Sequence, residues 1–118
     1  MTASEFDTYV AEKFGILPDH PFARDPETAV FRHPHNRKWF AIHMTIPKRK
    51  LGISEDGIMD VVNVKCAPEL LSSFLGQDGV YPAYHMNRGH WLTLSLDGQA
   101  DRDTIAFLLS VSFDLTKK

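Results

Sequence analysis

The run Val61-Val62-Asn63-Val64-Lys65 sets the terms for the rest of the chain. Three valines in five residues favour a strand. A run this apolar is stable where both faces are covered, which points to the centre of a sheet. A central strand needs neighbours, and the sequence supplies candidates on either side. Ala29 to Arg32 and Trp39-Phe40-Ala41-Ile42-His43-Met44-Thr45 read as two strands joined through the turn HPHNR. Val80 to Tyr84 and Trp91 to Leu96 read as a second pair, joined by the polar turn His85-Met86-Asn87-Arg88-Gly89-His90. Pro47 ends the second strand, and Lys48 to Gly57 is a polar connection carrying two glycines.

Helices fill the gaps. Thr2 and Glu5 fit a capping box before a helix whose apolar face is Phe6, Val10 and Phe14, with Tyr9 beside it. Gly15 is its expected stop. Pro18, Pro21 and Pro26 keep 15–28 out of helix, and Pro21-Phe22 reads as a tethered apolar contact. Pro68 suits the first turn of a second helix through Glu69, Leu70, Leu71 and Phe74, with Gly76 as the stop. Asp101 is the expected N-cap of a last helix with Ile105, Leu108, Leu109 and Ser112 inward and Leu115 near its end. The order is helix, two strands, strand, helix, two strands, helix. That predicts an α+β fold, a mainly antiparallel sheet with helices packed on it. At 118 residues the chain suits one domain over 1–118.

Several function classes drop out. No apolar run approaches the roughly 20 residues of a membrane span, so no membrane partner is expected. The start MTASEFDTYV lacks the basic and apolar regions of an export signal, so a cytoplasmic location is expected. One cysteine, Cys66, excludes an internal disulfide and a zinc site built on several cysteines. The formal net charge of −2 argues against a strongly basic nucleic-acid binder. That average hides a skew. Residues 28–54 contain six bases (Arg32, Arg37, Lys38, Lys48, Arg49, Lys50) and no acid, while 1–27 hold six acids against two bases and 55–118 nine against five. The central block fits an anion-binding surface, or else strand edges and loops kept soluble by charge.

Chemistry-bearing clusters are sparse. His33 and His35 flank Pro34, and His85 and His90 bracket the second turn, but neither pair has a metal-ligand spacing. Cys66 beside Lys65 has the two readings of nucleophile and buried packing. Glu55, Asp56 and Asp60 lack the spacing of a hydrolase dyad or a calcium loop. There is no phosphate-binding glycine loop and no nucleophile elbow. We therefore expect no enzyme and no cofactor. Tyr81, Tyr84 and Trp91 interleaved with His85, Asn87 and Arg88 suit stacking on bases and contact with phosphate, or packing on the sheet with only the turn exposed.

The stretches V-N-V-K-C-A-P-E-L (62–70) and Y-P-A-Y-H-M-N-R-G-H-W (81–91) resemble the MmcQ/YjbR family of small bacterial proteins. Pro21-Phe22, Lys38-Trp39-Phe40-Ala41, Leu96-Asp97-Gly98 and Ser112-Phe113-Asp114-Leu115 extend the likeness over nearly the whole chain. The resemblance implies a CyaY-like α+β fold with double-wing hairpins, and DNA binding inferred from that fold likeness. It carries over onto Asn63, Lys65, Cys66, Tyr84, His85, Met86, Asn87, His90 and Trp91. The family's lysine after the His-Met-Asn triplet is Arg88 here. The acidic residue that often follows its cysteine is Ala67, which weakens the cap of the second helix.

Two functional expectations follow. In the first, a DNA-binding module touches nucleic acid through Lys48, Arg49, Lys50, Lys65, His85, Asn87, Arg88, His90 and Trp91. In the second, the same sheet face and wing hold a protein partner.

Overall fold

The computed structural model describes all 118 residues. The elements are α1 (Ala3–Phe14), β1 (Ala29–Arg32), β2 (Trp39–Pro47), β3 (Ile58–Lys65), α2 (Pro68–Phe74), β4 (Val80–Pro82), β5 (Trp91–Ser95) and α3 (Arg102–Thr116). The five strands form one antiparallel sheet in the order β1-β2-β3-β5-β4. The valine-rich run lies in β3 at the centre, as its composition requires. The fold is α+β.

Alternation along β3 divides the molecule. Val62 and Val64 point to one face, with their cross-strand partners His43, Ala41, Leu94 and Leu92. All three helices cover this face: Phe6 and Val10 of α1, Leu71 of α2 and Ile105, Leu108 and Leu109 of α3 join Val62, Val64, Leu92 and Leu94 in one core. Phe14 stacks on Phe113 at 4.1 Å, tying the ends of α1 and α3 together. Val61, Asn63 and Lys65 point to the opposite face, which carries no helix.

Local signals at the chain's own elements explain most boundaries. The Thr2–Glu5 capping box forms, and its hydrogen bonds hold the Glu5 carboxyl below the usual carboxylate range. Gly15 closes α1 in the left-handed region at φ 69°. Ala67 is the N-cap of α2 and offers no side-chain bond. Asp101 occupies the N-cap of α3, but its carboxylate makes no capping bond; the backbone carbonyl receives Ile105 N–H instead. Strand ends also differ from expectation. β2 runs on to Pro47 and β3 begins at Ile58, because cross-strand pairing continues through Ile46–Met59 and Pro47–Ile58. β4 stops at Pro82, since Tyr84 turns its backbone toward side chains on β3 and β5. Lys48–Leu51 is a single 3-10 turn rather than open loop, closed by Gly52 N–H to Arg49 O at 3.0 Å, while Lys48 N–H to Gly57 O at 3.0 Å ties the ends of the connection together.

Ser112 locks α3 to the sheet. The pairing of β1 and β2 is irregular between Phe31 and Arg32. The Ser112 hydroxyl donates to Phe40 O at 2.6 Å and accepts Lys65 N–H at 2.8 Å. One buried side chain thereby satisfies backbone groups of two strands.

Candidate functional site

The face without helices is covered by connecting segments. Leu51, Ile53 and Tyr84 pack over Ile46, Met59 and Val61. Between these covers a cleft of about 450 Å³ runs along β2. Its floor is Ile42, Met44 and Ile46, the residues of β2 that alternate onto this face, with Asn63 beside them. Phe22 and Trp39 form one wall, edge to face at 6.1 Å. The Arg32 guanidinium lies 5.6 Å from the Trp39 ring centroid while its Nε contacts Asp19 at 2.8 Å, so the indole is fixed before any ligand arrives. Tyr84, His85 and Met86 form the other wall. Arg24 and Asp25 stand at the lip. A wider depression of about 570 Å³ beside β4 is lined mainly by the turns at 76–79 and 98–99 and offers two apolar side chains.

The second wall is held from beneath. Asn63 is fully buried; its amide donates to Tyr84 O at 2.8 Å, and its side-chain oxygen accepts the Thr93 hydroxyl. Thr93 Oγ1 in turn accepts Tyr84 N–H at 2.9 Å. Both backbone groups of Tyr84 are therefore clamped by side chains of β3 and β5. The next residue, His85, is forced to φ 60°, a left-handed conformation uncommon outside glycine and costing of order 1–2 kcal/mol. Its exposed ring rests against Tyr84, centroids 4.0 Å apart.

The residues expected at the site divide by what they already do. Asn87 accepts Gly89 N–H at 2.8 Å and shapes its own turn. Arg88 Nε donates to Ala83 O at 3.3 Å, bracing the same turn. His90 is exposed, and its carbonyl accepts Cys66 N–H at 2.7 Å. Lys65 and Trp91 are half-buried cross-strand partners on the cleft side of the sheet. Lys48 pairs with Glu55 at 3.4 Å, while Arg49 and Lys50 are exposed. The basic triplet follows Pro47, which pairs with Ile58, and Lys65 lies seven residues further along β3. The two groups thus sit about 23 Å apart, at opposite ends of the sheet. His85 and Met86 line the cleft that runs between those ends.

Cys66 is packing. Its side chain lies in the helix-side core, and burial, reinforced by Glu69, pushes the thiol above its ordinary pKa. A nucleophile needs the opposite shift. His33 is buried rather than an exposed turn residue, with Nε2 2.8 Å from Thr116 Oγ1. His35 Nε2 lies 2.6 Å from Lys117 O. No three His, Cys, Asp or Glu side chains converge as a metal cluster. No helix is long and apolar enough to cross a membrane.

The family model YjbR matches residues 11–115. The chain belongs to the YjbR family. It is 34% identical over 117 residues to the uncharacterized protein YyaQ of Bacillus subtilis, covering 99% of each chain. A crystal structure of a Pseudomonas syringae protein superposes with a TM-score of 0.96 at 44% identity, over 99% of this chain and 100% of that one. A Deinococcus radiodurans protein superposes at 0.70 with 26% identity, over 97% of this chain and 77% of that one. In this chain the Asn-x-Lys-Cys run has a physical reading: Asn63 holds the Tyr84 backbone, Lys65 faces the cleft side and Cys66 faces the core.

Arg24, Ile42, Met44 and Ile46 were not singled out as site residues by sequence. The strand residues alternate with core-facing ones, so their pattern reads as a half-buried strand. Arg24 lies in a proline-broken segment with no periodicity to place it.

Proposed function

We propose that this YjbR-family protein is a non-enzymatic, cytoplasmic DNA-binding module that reads its ligand on the cleft side of the sheet. The observation that carries this reading is one arrangement. A cleft walled by Phe22, Trp39, Tyr84 and His85 runs the length of β2, with cations toward both ends, Lys48, Arg49 and Lys50 at one and Lys65 at the other. Aromatic faces stack on bases and the flanking cations meet phosphates, the combination that nucleic-acid surfaces use. The β1–β2 and β4–β5 hairpins act as the wings. Glu55 pairs with Lys48 and the whole chain is acidic, so binding is local and weak compared with a uniformly basic protein.

Fluorescence anisotropy with short labelled duplex and single-stranded DNA at low salt tests the reading. Lys48→Glu, Arg49→Glu and Lys50→Glu together weaken binding. They also make the log–log salt dependence shallower by about 0.7–0.9 for each phosphate that is no longer neutralised. Absence of binding to either form by folded protein refutes it. So does a stoichiometric protein partner whose retention is lost on Trp91→Ala with the fold intact, in a protein that ignores DNA.

A further inference from the structure

We infer that the cleft along β2 holds one unstacked base of a single strand, so that this protein selects single-stranded over duplex nucleic acid. The inference deepens the DNA-binding reading and rests on it. Four features of the cleft point the same way. Its volume of about 450 Å³ sits at the small end of ligand pockets and suits a nucleoside, whereas a duplex cannot enter it. Its walls are rings on both sides, Phe22 with Trp39 and Tyr84 with His85, above an apolar floor of Ile42, Met44 and Ile46. That is the environment that receives a base taken out of its stack. Arg24 stands at the lip beside Asp25, whose carboxylate accepts the Thr28 hydroxyl; the guanidinium pairs with no carboxylate of the chain, which leaves it for the phosphate joined to the inserted nucleotide. Finally, His85 is an exposed polar side chain on the cleft wall, and its ring makes no hydrogen bond within the chain.

Asn63 and Thr93 hold the Tyr84 backbone and so fix where His85 begins. Asn63 cannot meet a ligand itself, since it is fully buried and both ends of its amide are engaged. It is a positioning residue. His85 presents its imidazole to the polar edge of the base, while the rings on either side accept any base because every base has a π-face.

The test compares three probes of equal length: an oligothymidylate strand, a duplex containing that strand, and the same strand with its bases removed. Wild type, Phe22→Ala and His85→Gly are titrated with each. Phe22 is already 40% exposed, and glycine at position 85 accepts the left-handed backbone, so both variants keep the fold. Circular dichroism spectra that superimpose on wild type, with melts no lower, check that they do. The expected result is single-strand binding at least tenfold tighter than duplex, most of it lost with the abasic strand. Phe22→Ala lowers single-strand affinity by roughly tenfold or more, the effect of losing one base–aromatic stack. Equal binding of duplex and single strand, unchanged in Phe22→Ala and His85→Gly yet weakened by charge reversal at Lys48–Lys50, overturns this inference and leaves the DNA-binding reading standing. No binding of any probe removes both.

Discussion

Asn63→Leu tests whether the His85 turn is built from the sheet upward. Asn63 is fully buried and bonded at both ends of its amide, to Tyr84 O at 2.8 Å and to the Thr93 hydroxyl. Leucine has a similar volume and removes both bonds together. It strands the Tyr84 carbonyl and the Thr93 hydroxyl proton, each costing about 1–3 kcal/mol when buried. The added apolar surface returns about 1 kcal/mol. The net loss is about 1–5 kcal/mol, which in a domain of this size lowers Tm by roughly 4–20 °C. Thr93→Val has a comparable effect, because it strands Tyr84 N–H and the Asn63 oxygen. The double variant leaves only the two Tyr84 backbone groups unpaired. Its loss therefore falls short of the sum of the single variants by about 1 kcal/mol or more. Urea unfolding followed by circular dichroism measures all four proteins, provided the denaturant slope stays constant. An Asn63→Leu protein within about 0.5 kcal/mol of wild type, or a strictly additive cycle, refutes the clamp.

Three other expectations are independent of any ligand. A Cβ at Gly79 would overlap the backbone nitrogen of Ala100 at a φ of +78°, whereas Gly98 at φ +87° has open space around it. Gly79→Ala therefore costs roughly 3 kcal/mol or more and Gly98→Ala about 1–2 kcal/mol; equal losses in thermal melts contradict the overlap. His33 is held below its ordinary pKa by burial and by His35, so the unfolded chain takes up the proton first as the pH falls. Its stabilising contribution is complete above about pH 6.5 and declines as the pH drops through that value, a slope that His33→Gln removes and that urea midpoints across this range detect. Cys66, buried with a raised pKa, reacts with a thiol reagent only through opening of the fold, so labelling at the rate of a free thiol in native buffer contradicts its packing role.

What the sequence reveals depends on how local the cause is. The capping box at Thr2, the stop at Gly15 and the central position of β3 are legible because each follows from a few adjacent residues. Helix α3 is legible on its inner face, where Ile105, Leu108, Leu109 and Ser112 are all buried. Asp101 is the N-cap of α3 as its residue type suggests, but the position is filled without the side-chain bond. The cleft is assembled from four separate segments, the Phe22–Thr28 loop, β2, Asn63 of β3 and the turn at Tyr84–Met86. No window of sequence contains it. Charge misleads for the same reason. The acid-free block 28–54 is a fact of chain order, yet Arg32 and Arg37 reach Asp19 and Lys48 reaches Glu55, each partner lying outside the block. Folding mixes what the sequence keeps apart.

The motif residues of a family are commonly treated as one site, but here their existing bonds separate them. Asn63 is engaged with Tyr84 and Thr93, Asn87 with Gly89, Arg88 with Ala83, and Cys66 is enclosed by the core. Substituting any of these disturbs the scaffold first, and a loss of binding that follows carries no information about contact. Lys65 and His85 make no side-chain hydrogen bond or ion pair within the chain, and Met86 lines the cleft wall. Arg24 shares this freedom although it lies outside the motif. These side chains have no structural employment that would maintain them, so a recognition defect should appear in them without a fall in stability. Lys65→Gln, Met86→Ala and Arg24→Gln are therefore expected to melt within about 0.5 kcal/mol of wild type, the range of ordinary surface substitutions, and His85→Gly no lower than wild type, since glycine relieves the left-handed backbone. Any of them that unfolds the protein as Asn63→Leu does would move that residue from the ligand's side of the division to the scaffold's.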